Sequence, residues 1–152
     1  MRRLAAALGS VISQSELVIL EGPLGVGKTF FVRGALRALG VPEREAITSP
    51  TFSLVHEYDT SPRVFHADLY RLKDERELGP LGLAEARASG AALLVEWGAP
   101  YVAKLGGDAL SIELQLQSGT ARRARLSSDG PLSLILLGKL ARALGEPRQK
   151  TC

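Results

Sequence analysis

Several protein classes are excluded by what this chain lacks. It has a single cysteine, Cys152, and no asparagine. One thiol cannot close an intrachain disulfide, and at the last position of the chain it is not expected to be catalytic. Without Asn, the Asn-Lys-x-Asp base reader of a guanine-specific switch cannot be built. Aromatic residues make up only 5% of the chain, and there are two histidines. Of these, His66 has no other metal-type ligands at workable spacing and reads as a satisfied strand histidine. The longest apolar runs, Leu132 to Leu137 and Ala91 to Val95, fall far short of the roughly 18 residues that cross a bilayer. Arg2 and Arg3 before the apolar Leu4 to Leu8 faintly imitate a signal peptide, but that stretch is short and has no cleavage site. A cytoplasmic protein without a membrane partner is expected.

What is present is an ordinary globular composition, 45% apolar and 23% charged over 152 residues. A chain of this length fits one domain, residues 1–152, and buries about two-thirds of its unfolded surface. The net charge of +3 is uneven: residues 1–40 carry five basic and two acidic groups, residues 41–100 six and ten, residues 101–152 eight and four. An acidic middle suits a divalent cation, and basic ends suit nucleic acid or an acidic partner.

The pattern of elements alternates. Leu4, Ala7 and Leu8 have helical spacing, and Leu17 to Leu20 is an aliphatic run that reads as a buried strand. Val32, Ala35, Leu36 and Leu39 predict a helix over Lys28 to Leu39, stopped by Gly40 and Pro42. Phe52 to Tyr58 and Val64 to Asp68 are predicted strands joined at Asp59 to Pro62. Leu78 to Ala88 is weakly helical, and Ala91 to Glu96 is another buried strand. Leu110 to Gln117 and Ala121 to Leu126 predict a hairpin, and Leu132 to Leu144 a last helix. The fold class is α/β.

The densest chemical signal is "EGPLGVGKTF", Glu21 to Phe30. Gly22-Pro23-Leu24-Gly25-Val26-Gly27-Lys28-Thr29 matches G-x-x-x-x-G-K-[ST] in full and lies between a predicted strand and a predicted helix, the context the motif requires. Glycines let the backbone wrap a phosphate, so that successive N–H groups and the positive end of the following helix face the anion. Lys28 would reach the β and γ phosphates and Thr29 would ligate Mg²⁺. Such a loop needs a strand-end carboxylate, and Asp68 and Glu96 both have that form; either could hold Mg²⁺ or orient an attacking water. With no guanine reader, ATP is favoured over GTP. No transporter signature and no arginine-rich lid insertion is present, which leaves a compact ATPase.

Two further stretches, "TSPTF" (Thr48 to Phe52) and "HADLYR" (His66 to Arg71), stand between the loop and "EWG" (Glu96 to Gly98). In this order and spacing, across Leu17 to Pro100, the four motifs closely resemble the bacterial TsaE family, also called YjeE. The resemblance implies a P-loop NTPase-like three-layer sandwich, a central mixed sheet flanked by helices with a C-terminal β-hairpin and helix. It also implies an ATPase acting with TsaB and TsaD in forming the threonylcarbamoyl group on adenosine 37 of tRNA, without performing the carbamoyl transfer itself.

Carried over by residue, the loop from Pro23 to Phe30 would bind ATP, and Thr48, Ser49 and Thr51 would form a switch-like segment near the γ-phosphate, with Pro50 limiting its conformations. Asp68 would serve Mg²⁺ or the attacking water, and Glu96 would be a metal-site carboxylate. Lys28, Asp68 and Glu96 are therefore the candidate catalytic residues. Tyr70 reads equally as core packing, Arg71 as a solvated salt bridge, and Trp97 as a structural or contact aromatic. The chain departs from the usual family pattern at Pro23, Val26, Ala67 and Gly98. The first two are variable positions of the general motif, so phosphate binding is expected to survive.

No residue has the look of an arginine finger, so hydrolysis by the chain alone is expected to be slow. Arg122, Arg123, Arg125, Lys139 and Arg142 could add a weak, sequence-blind contact to tRNA phosphates; no DNA partner is implied. Two other readings use the same loop: a nucleotide-gated assembly module for the same complex, and an unrelated small-molecule kinase.

Overall fold

The computed structural model describes residues 1–145; Cys152 and the expectation attached to it lie outside them. Ten regular elements follow in order: α1 (Arg2–Val11), β1 (Leu17–Glu21), α2 (Lys28–Ala38), β2 (Val55–Tyr58), β3 (Val64–Asp68), α3 (Leu83–Ala88), β4 (Ala92–Glu96), β5 (Ala109–Leu116), β6 (Arg122–Ser128) and α4 (Pro131–Ala143). The strands form one six-stranded sheet in the order β2-β3-β4-β1-β5-β6. Its four central strands run parallel, and β2 and β6 pair antiparallel at the edges. This is the mixed α/β sheet with a C-terminal hairpin and helix expected from the sequence.

Burial explains the pattern. β1 and β4 are aliphatic at nearly every position because helices cover both faces of the sheet there. Val18, Leu20 and Leu94 pack with α1, α2 and α4 on one side. Leu17, Ile19, Leu93 and Val95 pack with Leu83 of α3 and Leu105 on the other. Each such side chain contributes roughly 1.5–3 kcal/mol relative to exposure. β6 alternates exposed with half-buried residues, as an edge strand with one wet face does.

Two predicted elements differ. The strand expected from Phe52 begins only at Val55: residues 51–53 form a turn in which Leu54 N–H bonds the Pro50 carbonyl at 2.9 Å and Leu54 has φ 64°. The apolar Phe52 and Leu54 imitate strand spacing, but the local bond to Pro50 and the left-handed backbone at Leu54 break the extended run before β2. The weak helix over Leu78 to Ala88 resolves into a short 3₁₀ turn at Gly79–Leu81 followed by α3, with Gly82 at φ 69° separating them. Among the described residues no helix is long and apolar enough to cross a membrane.

The topology places the chemistry. Asp68 is the register partner of Glu96, and Glu96 of Leu20. The two candidate carboxylates and the start of the glycine loop thus share the carboxyl edge of the parallel strands, where open α/β sheets hold ligands.

Candidate functional site

The loop between β1 and α2 has the backbone that its glycines permit. Gly22, Gly25 and Gly27 have φ of 138°, 77° and 111°, which side-chain-bearing residues rarely adopt. Gly27 is the N-cap of α2 and has no side-chain cap. The amides of the first turn are therefore left for an anion, with the helix dipole behind them.

A cleft of about 510 Å³ opens over this loop, lined by Leu24, Gly25, Gly27 to Phe30, Ser49, Thr51, Asp68, Tyr70, Arg71, Glu96 and Trp97. Most residues expected at the site meet here. Thr48 is exposed outside the lining, Pro23 faces solvent beside the loop, and Val26 buries its side chain in the core while its carbonyl accepts from Arg122 Nε at 3.1 Å.

Lys28 is buried and folded back on its own loop, donating to the carbonyls of Gly22 at 2.5 Å and Pro23 at 3.1 Å. Burial pushes its ammonium below the ordinary lysine range, against the pull of Glu96, Glu21 and Asp68 toward the charged form. The Thr29 hydroxyl donates to Glu96 Oε1 at 2.8 Å. The same oxygen lies 2.8 Å from His66 Nε2. Asp68 is held differently: Oδ2 accepts from Ser49 Oγ at 2.6 Å and Oδ1 from the Tyr70 amide at 3.0 Å. One carboxylate is tied to the glycine loop, the other to the segment from Thr48 to Phe52.

The cation suggested by the sequence can be weighed against this donor set. Among the described residues no three His, Cys, Asp or Glu side chains gather into a cage that could hold a metal unaided. A hydroxyl and two carboxylates at an anion-binding loop are hard oxygen donors. Mg²⁺ is typically held in this way, by one or two carboxylates with waters and substrate phosphates. The residues fit that ion, with Thr29 and Glu96 nearest to one another and Asp68 alongside.

Three aromatic or cationic neighbours carry more than the sequence signalled. Trp97 has φ 60° and packs against Tyr70 with ring centroids 4.9 Å apart and planes tilted by 46°. Tyr70, which could have been a core residue, is half exposed at the cleft. Arg71 makes no salt bridge among the described residues; its guanidinium lies 5.7 Å from the ring centroid of Phe52, which is 91% exposed. His66 is a buried strand residue as expected, but its partner is the candidate catalytic Glu96. A strand pattern reveals burial, and only register reveals which residue a buried histidine meets. The basic C-terminal residues separate: Arg122 braces the loop, Lys139 lies 3.9 Å from Glu16, and Arg123, Arg125 and Arg142 are exposed.

Comparison with known proteins agrees with this arrangement. The family model described as Threonylcarbamoyl adenosine biosynthesis protein TsaE matches residues 1–125. The tRNA threonylcarbamoyladenosine biosynthesis protein TsaE of Rickettsia bellii is 35% identical over 129 residues, which is 84% of this chain and 88% of that protein. The Bacillus subtilis protein of the same name is 30% identical over 142 residues, 93% of this chain and 87% of that protein. A crystal structure of Bacillus subtilis YdiB superposes with a TM-score of 0.75 at 27% identity, covering 93% of this chain and 86% of that one.

Proposed function

Because the chain belongs to the TsaE family of threonylcarbamoyl adenosine biosynthesis proteins, we propose that it is a magnesium-dependent cytoplasmic ATPase. In this reading it supports TsaB and TsaD in forming N6-threonylcarbamoyladenosine at position 37 of tRNA. The observation that carries the ATPase reading is the 2.8 Å bond from Thr29 Oγ1 to Glu96 Oε1. It joins the end of the phosphate loop to a strand-end carboxylate, the pairing a Mg²⁺-nucleotide site needs.

The amides at the start of α2 would bind the phosphates, and Lys28 would leave the Gly22 and Pro23 carbonyls to reach the β and γ oxygens. Thr29 and Glu96 would hold Mg²⁺, which when bound offsets negative charge on the phosphate oxygens. Asp68 keeps an unused lone pair on each oxygen beyond the bonds to Ser49 and Tyr70, so it could accept a proton-bearing water and aim it at the γ-phosphorus. Through Ser49 the same carboxylate would register the position of the Thr48 to Phe52 segment. Arg71 also lines the cleft, but its guanidinium lies against the exposed Phe52 ring, so among the described residues Lys28 would be the cation serving the transferring group and turnover without partners would be slow.

The test is ATP hydrolysis by the purified chain, alone and with TsaB and TsaD, with Lys28→Ala as the blank. Stimulation by the partners that vanishes in the variant supports the reading. Fast turnover that the partners leave unchanged sinks it. A second reading, a nucleotide-gated assembly module, draws on Phe52, an almost fully exposed aromatic beside the cleft that a partner would cover. Asp68→Ala separates the two: a module still assembles with ATP and still supports tRNA modification, whereas with a coupled ATPase the complex assembles and modification stops.

A further inference from the structure

We infer that His66 is a positioning residue for Glu96, fixing which oxygen of that carboxylate is presented to the cleft. The inference rests on the Mg²⁺-nucleotide reading above and deepens it. His66 is fully buried on β3, two residues before Asp68 and on the same face of the strand. Its register partner on β4 is Leu94, so it lies two register positions behind the Asp68–Glu96 pair. An apolar residue there would avoid burying a ring with two polar nitrogens, and Nδ1 has no hydrogen-bond partner among the described residues. The other nitrogen does meet one: Nε2 lies 2.8 Å from Glu96 Oε1.

The proton assignment follows from the partners. An ionised carboxylate oxygen only accepts, so Nε2 carries the proton and Nδ1 is the bare nitrogen, because an orphaned buried N–H is the rarer and costlier arrangement. Glu96 Oε1 therefore receives two donors, the Thr29 hydroxyl and His66 Nε2. Oε2 takes no hydrogen bond among the described residues, and Glu96 lines the cleft. The terminal torsion of a glutamate is soft and nearly two-fold, so without anchors its oxygens exchange freely. If the Thr29 hydroxyl turned to a metal, His66 would be the side chain left holding Oε1 among the described residues. Oε2 then stays toward the cleft, as an outer hydrogen bond orients a ligating carboxylate.

The experiment has two parts. In the nucleotide-free protein, long-range ¹H–¹⁵N NMR of the His66 ring should show a proton on Nε2 and a bare Nδ1; a protonated Nδ1 with a bare Nε2 would overturn the assignment. Mg²⁺-dependent binding of a non-hydrolysable ATP analogue is then followed by tryptophan fluorescence in wild type, His66→Met and His66→Gln. The glutamine amide places an N–H close to the position of Nε2, whereas methionine fills the space without a donor. The half-saturating Mg²⁺ concentration should rise roughly tenfold or more in His66→Met and return to within about twofold of wild type in His66→Gln. Binding measured without Mg²⁺ should be equal in all three. Equal Mg²⁺ dependence in folded variants overturns the inference, as does failure of His66→Gln to restore it. Thermal unfolding without Mg²⁺ checks the fold, and if His66→Met does not fold, His66→Leu replaces it. A wild type whose nucleotide binding ignores Mg²⁺ would instead remove the ATPase reading, and the ring protonation would still decide whether His66 holds Glu96.

Discussion

The Lys28 ammonium lies 4.1 Å from the centroid of the Trp97 ring. The residue that should grip phosphate is thus held by an aromatic face and two carbonyls of its own loop. Such a cation–π contact is worth about 0.5–2 kcal/mol, an amount phosphate binding readily exceeds. Because Trp97 is the sole tryptophan, its emission reports the departure of Lys28. Mg²⁺-ATP should change that emission saturably, and Lys28→Ala should alter the starting emission and abolish the change. An emission unmoved at saturating nucleotide would refute the displacement.

Arg87 of α3 is buried and joins two loops, the α1–β1 and β4–β5 connections. It donates to the carbonyls of Ser15 at 2.7 Å, Leu105 at 2.8 Å, Gly107 at 2.6 Å and Asp108 at 3.3 Å. Replacing it leaves several buried acceptors without donors, so Arg87→Met should lower stability by about 3 kcal/mol. Arg87→Lys should rescue little, since an ammonium cannot span that fan of carbonyls. Denaturant midpoints measure both. Nucleotide affinity of the folded fraction should not move, because none of these residues lines the cleft.

Asp108 caps α4 from outside the helix. Oδ2 accepts from the Leu132 amide and Oδ1 from the Ser133 amide, each at 2.8 Å. Burial alone would raise its pKa, but the hydrogen bonds from Ser133 and Leu132, with the nearby Arg87, hold the carboxyl below its usual range. A depressed folded pKa contributes stability above the unfolded value, about 3.9, that is lost as pH falls through the folded value. Asp108→Ala should cost about 1–2 kcal/mol at pH 7. The gap between wild-type and variant melting temperatures should narrow as pH drops below about 4. A gap independent of pH would show that charge has no part in the cap.

Gly9 lets α1 cross α2 closely. A Cβ there would stand 2.2 Å from the Ala35 carbonyl oxygen and 2.7 Å from Ala38 Cβ. Helix propensity alone predicts that Gly9→Ala stabilises by about 1 kcal/mol. Overpacking against a backbone oxygen costs about 1–3 kcal/mol or more and should win, with net destabilisation. Because α2 carries Lys28 and Thr29 on its first turn, the shifted helix should also weaken nucleotide binding. A more stable variant would show that the two helices can part freely.

The glycine loop, its lysine and its threonine were legible in the chain because their chemistry is local. Consecutive residues make the turn, and the strand before and helix after announce themselves by aliphatic runs and helical spacing. Asp68 and Glu96 were legible as strand-end carboxylates, but not the partners each would meet. Those depend on the parallel register that sets Asp68 beside Glu96, and on α2 bringing Thr29 to one carboxylate while Ser49 meets the other. The same is true of residues that sequence undervalued. His66 looked like any buried strand histidine, Trp97 like a structural or contact aromatic, and Arg122 like part of a basic surface that could touch tRNA phosphates. Their partners, Glu96, Lys28 and the Val26 carbonyl, lie 30, 69 and 96 positions away in the chain.

The sequence by itself determined the alternation of strands and helices, the glycine loop and the pair of strand-end carboxylates, since these depend on periodicity and on residues adjacent in the chain. The tertiary structure alone decided which side chain holds which. Hydrogen bonds between elements are fixed by strand order and register, and those arise from burying both faces of the sheet at once.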